Sequence, residues 1–347
     1  MPLLDGLRVL DLTMWRPGPY ATQLLAQLGA DVIKVEPPGG EPMRMFGGHF
    51  ELLNQHKRSV ALDLKSDAAR GRCLELAAEA DVLVEGYRPG VADRLGVGYE
   101  AVQARNPRIV YCSISGYGAR GELRDAPGHD VNYRAYSGAM PPDAVSPDAD
   151  ELPVADMAAA TMAAFAITAA CFKARETGRG DRIDLGMADV LANWVGTVPT
   201  AKVRGGGTGP VPGYGVYPTK DGGRITLGVV SEQHLWAAVC GALGLEHHAG
   251  LGFLERLGRV AELDAEITEA IGRLTADEAL TVLAGAPVAP LLDRDAMMTH
   301  PHFQQRGVVA DGTVGSPVRT ETYPPLGPGP IAKLDQHAGE GWRRPAP

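Results

Sequence analysis

Two residues of this chain carry side chains suited to acid–base or nucleophilic chemistry at positions that would hold them in place. His129 sits in the run Pro127-Gly128-His129-Asp130-Val131-Asn132-Tyr133, and Asp156 sits in Leu152-Pro153-Val154-Ala155-Asp156-Met157, just ahead of a long apolar stretch. An imidazole and a carboxylate at the mouths of two structural elements suit proton transfer on the two faces of one carbon. They suit equally a covalent step in which the carboxylate attacks. Each also has a plain structural role. Asp156 reads as a helix N-cap, because a carboxylate accepts backbone N–H bonds and complements the helix dipole. His129, flanked by Gly128 and Asp130, reads as part of a turn feeding a helix.

The elements that must position this pair follow from hydrophobic pattern. Strands are predicted over 8–12, 31–36, 59–64, 81–85 and 109–114, alternating with helices over 20–28 and 67–80. Apolar strand runs between amphipathic helices indicate βαβ units and a mainly parallel sheet. Residues 157–176 form a helix apolar on nearly every side, which predicts complete burial, and the run is judged too short to span a bilayer. The stretch 199–213, with Arg204-Gly205-Gly206-Gly207-Thr208-Gly209-Pro210, reads as a linker. Beyond it come a hairpin turning at Asp221-Gly222-Gly223 and helices over 232–243, 259–274 and 276–283, a smaller α/β region. The tail from Pro324 lacks periodicity and is expected to wrap over another part of the fold.

Composition narrows the function classes. A formal net charge of −9 over 347 residues argues against a nucleic-acid binder. Cys73, Cys112, Cys171 and Cys240 form no CxxC pair and read as free thiols in a reducing compartment. With no basic and apolar leader at Met1-Pro2-Leu3, a cytoplasmic protein without a membrane partner is expected. Gly116-Tyr117-Gly118-Ala119-Arg120-Gly121 matches GxGxxG after a strand, but the following residues show no helical period and no acidic strand end follows. It reads as a glycine turn and not as a dinucleotide site. His247-His248 and His300-Pro301-His302 have no carboxylates or cysteines at ligand spacing and read as surface or structural histidines. Lys34, Arg44, Lys57, Arg58, Lys65 and Arg88 gather near predicted strand ends, where an α/β sheet presents its ligand site; they read either as a phosphate cradle or as solvated charge.

Several segments, in order, resemble the class III CoA-transferase family, the group that also contains the α-methylacyl-CoA racemases. They are residues 4–12, Gly29-Ala30-Asp31 through Pro38, Lys57-Arg58-Ser59 through Lys65, Asp81 through Gly90, Ser115-Gly116-Tyr117-Gly118, Gly180-Asp181-Arg182-Ile183-Asp184-Leu185 and Pro301-His302-Phe303. The resemblance implies a large Rossmann-like parallel-sheet domain over 1–198 that binds CoA and is completed by the tail 314–347. A smaller α/β domain over 214–313 follows the linker, and two copies interlock as a homodimer. The CoA portion of an acyl-CoA substrate would meet Lys57, Arg58, Asp63, Leu64, Lys65, Gly86, Tyr87 and Arg88, with no tightly bound cofactor and no metal.

The racemase branch supplies the first functional expectation. His129 and Asp156 would be the acid–base pair inverting the α-carbon of a 2-methylacyl-CoA through an enolate, with Arg94 and Glu232 in support and donors near Asp130 for the enolate oxygen. The alternative is a CoA transferase with Asp156 as nucleophile and Gly205-Gly206-Gly207 resembling a shielding loop. A third class is a non-catalytic acyl-CoA-binding homologue. Two departures qualify the first choice. The racemase glutamate aligns with Ser231, beside Glu232, and Arg16 stands where formyl-type transferases carry glutamine. Arg16 therefore argues against formyl or oxalyl transfer and is expected to pair with a carboxylate or polar group on the acyl chain.

Overall fold

Near-continuous apolar strands can be buried only in a sheet covered on both faces, and such a sheet organises the larger part of the chain. The computed structural model describes residues 1–46, 48–140, 152–198 and 211–343. Strands β1 (Arg8–Leu12), β2 (Asp31–Glu36), β3 (Arg58–Ala61), β4 (Val82–Glu85), β5 (Val110–Ser115) and β6 (Arg182–Gly186) form a six-stranded sheet in the order β3-β2-β1-β4-β5-β6. Every pairing within it is parallel. Alternation along β1 feeds two cores. Val9 joins the helices Pro17–Gln27 and Val154–Thr177 on one face, while Leu10 and Leu12 join Cys73, Leu74 and Val102 on the other. The order reverses between β1 and β4, so the loops leaving these two strands diverge and open a crevice at the carboxyl edge.

Contacts divide the chain into two compact units, Met1–Thr197 with Pro301–Pro347, and Val198–His300. The first unit's second segment thus begins at Pro301, where the sequence reading placed the return at 314. Most of the expected linker and the glycine loop 205–207 lie outside the described residues. The second unit holds an antiparallel sheet, β7 (Tyr214–Pro218), β8 (Arg224–Gly228) and β9 (Val288–Pro290). It packs Trp236, Leu263 and Ile267 into its own core.

The tail covers the sheet edge at β3. Ala61 N–H donates to Asp335 Oδ1 at 2.8 Å, Arg58 donates to the Gly341 carbonyl at 2.7 Å, and Trp342 Nε1–H donates to the Leu76 carbonyl at 3.0 Å. An edge strand covered in this way offers no template for foreign strands.

The long helix departs from its sequence reading in three ways. It runs Val154–Thr177, beginning earlier than expected, so Asp156 lies in its first turn and Pro153 is the N-cap. At 24 residues it is long and apolar enough, by length and composition, to cross a membrane. In this fold it packs against the helix Pro17–Gln27 and β5. It is also not apolar-buried all round: Ala155, Ala158, Ala159 and Ile167 are buried, while Phe165 and Phe172 are each 69% exposed. Small alanines let one face approach the sheet closely, and the phenylalanines stand on the other.

Candidate active site

The loop after β1 is held by a buried charge network. Asp11 accepts from Thr13 N–H (2.9 Å) and Thr13 Oγ1–H (2.5 Å) on one oxygen, and from Thr22 Oγ1–H (2.6 Å) and Lys57 Nζ (3.0 Å) on the other. Burial alone would raise the Asp11 pKa, but Lys34, Lys57 and the two hydroxyls hold it well below the usual carboxylate range. Lys34 Nζ also donates to the Thr13 carbonyl at 2.9 Å. The helix Pro17–Gln27 approaches so closely that a Cβ on Gly18 would fall 2.3 Å from that of Thr13. Between these anchors Trp15 takes φ +65°. For a bulky side chain that conformation costs about 1–3 kcal/mol and survives only where its surroundings dictate it.

The other walls come from β4, β5 and the two helix starts. Glu85 Oε2 accepts the Tyr87 N–H at 2.8 Å and shapes the Gly86-Tyr87-Arg88 turn. After β5, Gly116 lies flush against Tyr133, whose ring would be 2.6 Å from any Cβ there. Tyr133 in turn donates its hydroxyl to the Gly128 carbonyl at 2.5 Å. No helix begins at 116–121, so this glycine stretch is a turn that makes room for an aromatic ring.

His129 and Asp156 meet on the wall of one cavity of about 550 Å³, together with Trp15, Arg88, Tyr117 and Tyr133. His129 is exposed at the N-cap of the short helix Asp130–Tyr136, and its backbone N–H donates to Asn132 Oδ1 at 3.0 Å. Asp130 performs the capping that the sequence suggested for Asp156. Its Oδ1 accepts the N–H groups of Ala155 (2.6 Å) and Asp156 (3.2 Å), at a helix end where Pro153 has no side chain to offer. The arrangement leaves the Asp156 carboxylate free of capping duty. Burial pushes its pKa up to about 6; the neighbouring Asp130 charge adds to the rise and Arg16 opposes it.

The structure sorts the other expected site residues. Lys57 is buried, with all three ammonium donors directed at Asp11, the Pro19 carbonyl (2.8 Å) and Asn54 Oδ1 (2.8 Å). Arg58 forks onto Asp31 at 3.0 and 2.7 Å, Arg44 onto Glu36 at 2.6 Å, and Lys34 pairs with Glu41 at 2.5 Å. All four are engaged by carboxylates within the fold, which weighs against the wider phosphate-cradle reading, while Lys65 and Arg88 line cavities. Lys65, Asp63 and Leu64 line a second cavity of about 190 Å³ with Leu12, Val35 and Leu95. Tyr87 lines both cavities, and Gly86 and Arg88 line the larger one.

Arg94 ends the helix Val91–Arg94, exposed, and is not among the residues lining the His129–Asp156 cavity. Glu232 belongs to the second unit, exposed at the N-cap of the helix Gln233–Leu243. Its own backbone N–H and that of Val230 hold its carboxylate below the ordinary value. Ser231 is exposed beside it. Arg16 is partly buried and close enough to Asp156 to favour its ionised form. Trp15, Arg124, Tyr117 and Tyr133 also line the cavity and were given no role from sequence. Arg124 lies in a stretch without periodicity, so no pattern marked it.

The doubly wound parallel sheet places an imidazole and a desolvated carboxylate on one cavity wall at its switch point, an arrangement able to do acid–base or nucleophilic chemistry. The chain belongs to CoA-transferase family III, whose sequence model matches residues 4–347. It is similar to the acetyl-CoA:oxalate CoA-transferase of Acetobacter aceti, with 34% identity over 96% of this chain and 93% of that one. It is similar as well to the succinyl-CoA:mesaconate CoA-transferase of Haloarcula marismortui, with 33% identity over 98% and 96%. Among solved structures, a CaiB/BaiF family protein from Brucella suis superposes with a TM-score of 0.84 at 27% identity, covering 97% of both chains. The Mycobacterium tuberculosis protein Rv3272 superposes with a TM-score of 0.85 at 28% identity, covering 97% of this chain and 98% of that one. These relatives shift the weight from α-carbon inversion, the first reading of the sequence, to CoA transfer.

Proposed function

We propose that this enzyme moves CoA from an acyl-CoA to a dicarboxylic acid, with Asp156 as the nucleophile. The observation that carries the reading is the Asp156 carboxylate, desolvated on the wall of the larger cavity, in a chain whose relatives are named as CoA-transferases. A carboxylate raised to about 6 is ionised at neutral pH yet weakly solvated, which suits attack on a thioester carbonyl.

Asp156 attacks the donor carbonyl, forming an aspartyl–acyl anhydride as the C–S bond breaks and CoA leaves as thiolate. The thiolate attacks the aspartyl carbonyl, giving an aspartyl–CoA thioester and releasing the donor acid. The acceptor carboxylate then repeats these two steps in reverse and leaves as its CoA thioester, which restores Asp156.

CoA enters as part of the substrate. The smaller cavity, apolar with Lys65 at its wall, suits the base and phosphates of the nucleotide, and Tyr87 marks the route to Asp156. Arg16 and Arg88 supply positive charge for the far carboxylate of a diacid, in keeping with the mesaconate in one relative's name, while the oxalate in another's runs against the expectation that Arg16 disfavours oxalyl transfer. The exposed Phe165 and Phe172 support a second copy of the chain on that face of the long helix, as in an interlocked homodimer. A cytoplasmic location, with no membrane or nucleic-acid partner, completes the proposal.

His129 on the same wall supports a second reading, proton exchange at the α-carbon. One experiment separates the two. The enzyme is given a single 2-methylacyl-CoA enantiomer in D2O, with and without succinate. Transfer to succinate, with hydroxylamine-trappable modification of Asp156 and no deuterium at the α-carbon, is the expected result. Deuterium gain with inversion and no transfer would replace the proposal with racemisation. CoA-ester binding without either reaction would replace it with a binding role.

A further inference from the structure

The second unit carries a cluster that the proposed transfer chemistry does not use. His247 and His248 form a short 3-10 turn with Glu246, and Glu266 projects from the helix Val260–Ile271. His248 is 5% exposed, and its backbone is fixed by Trp236, whose Nε1–H donates to the His248 carbonyl at 2.8 Å. Gln233 donates in the same way to the Ala249 carbonyl at 2.8 Å. The turn is therefore anchored at its C-terminal end, at His248 and Ala249. Along the sequence this pair has no set of carboxylates or cysteines at ligand spacing. In the fold the helix Val260–Ile271 brings Glu266 to it.

We propose that His247, His248 and Glu266 form a binding site for a divalent transition ion of the zinc class. One carboxylate oxygen, Glu266 Oε2, faces His248 Nε2 at 3.1 Å and His247 Nε2 at 3.6 Å, and the three donor atoms lie within 4.8 Å of one another. Zinc bonds of ~2.0–2.1 Å at tetrahedral angles put neighbouring donors ~3.3–3.4 Å apart. The two separations lie either side of that edge, and the two rings, with centroids 3.9 Å apart, must turn away from each other to seat an ion. Two imidazoles and a carboxylate with water in the fourth place suit zinc, nickel or copper and not magnesium or calcium.

Arg259, the nearby cation at the N-cap of the helix carrying Glu266, is already paired with Glu262. The site would clasp the His247–His248 turn to the helix 18 positions along the chain and stabilise the second unit by binding only its folded form.

The test uses the full-length chain stripped with chelator, Zn²⁺ as titrant and Co²⁺ as spectroscopic probe. Wild type is expected to bind Zn²⁺ at this site with a rise in thermal midpoint, and Co²⁺ to give the intense visible bands of a four-coordinate ion. His247→Gln and Glu266→Gln, both at positions outside the buried core, should each weaken that binding at least tenfold and abolish the midpoint rise. The exposed control His49→Gln should change neither. Unchanged Zn²⁺ affinity in both cluster variants, or only the weak bands of six-coordinate Co²⁺, would overturn the proposal. CoA-transferase activity is not the readout, so the outcome is independent of the role given to Asp156.

Discussion

Replacing Asp156 with asparagine should abolish CoA transfer and, above neutral pH, make the protein more stable. Burial raises the folded-state pKa from the ordinary aspartate value of 3.8 to about 6. A carboxyl with a raised pKa contributes stability that is fully present below its unfolded value and is lost as pH rises through the folded value. Ionising Asp156 therefore costs the fold about 2 pH units of free energy once the pH exceeds both values. At ~1.4 kcal/mol per unit this is at most about 3 kcal/mol. Asparagine keeps the volume and never ionises, so it recovers that cost. At ~2–4 °C per kcal/mol for a large domain, the melting midpoint should rise by roughly 6–12 °C at most near pH 8. It should stay close to wild type near pH 4, about the unfolded pKa of aspartate. Melts followed by tryptophan fluorescence at the two pH values, with a CoA-transfer assay alongside, measure both effects. Equal destabilisation at both pH values would show that burial does not oppose ionisation here. Persistent transfer would remove Asp156 from the chemistry. The gain in stability on losing function is the mark of a site that stores a cost for its reaction.

Removing the like charge in Asp130→Asn should lower the Asp156 pKa and move the acid limb of kcat/KM below about 6, while the amide oxygen still accepts the helix N–H groups. A pH profile that does not move would break this link. Arg16→Ala should move the limb in the opposite direction and reduce the preference for dicarboxylic over monocarboxylic acceptors, read as a ratio of kcat/KM; an unchanged ratio would discard Arg16 as the carboxylate partner. Lys57→Ala should destabilise the chain by about 3–5 kcal/mol, because it strips a buried carboxylate of a partner. Urea midpoints test this, and a large rise in KM for acyl-CoA with little loss of stability would instead restore Lys57 to the phosphate site.

The sheet was legible because its strands are short apolar runs punctuated by helices, and a fully covered parallel sheet imposes that pattern. His129 and Asp156 were legible as chemically able residues, and the order of motifs marked the family. The pattern could not tell which cations face a ligand. Lys57 and Arg58 stand in a run with Lys65, yet the first two are turned inward to Asp11 and Asp31. The partner carboxylates lie 46 and 27 positions away. Spacing along a chain carries no information about such long-range pairs.

The same limit governs the site itself. From the sequence alone, Asp156 reads equally as a helix cap and as a catalyst. The tertiary structure gave the capping to Asp130, 26 positions earlier, and left Asp156 on a cavity wall with its ionisation opposed by burial. It likewise carried Glu266, 18 positions on, to face His248 of the histidine pair. Residue type and local period determine which elements form and which side chains are chemically able. Desolvation and pairing decide what those side chains do, and both depend on neighbours that only the folded chain assembles.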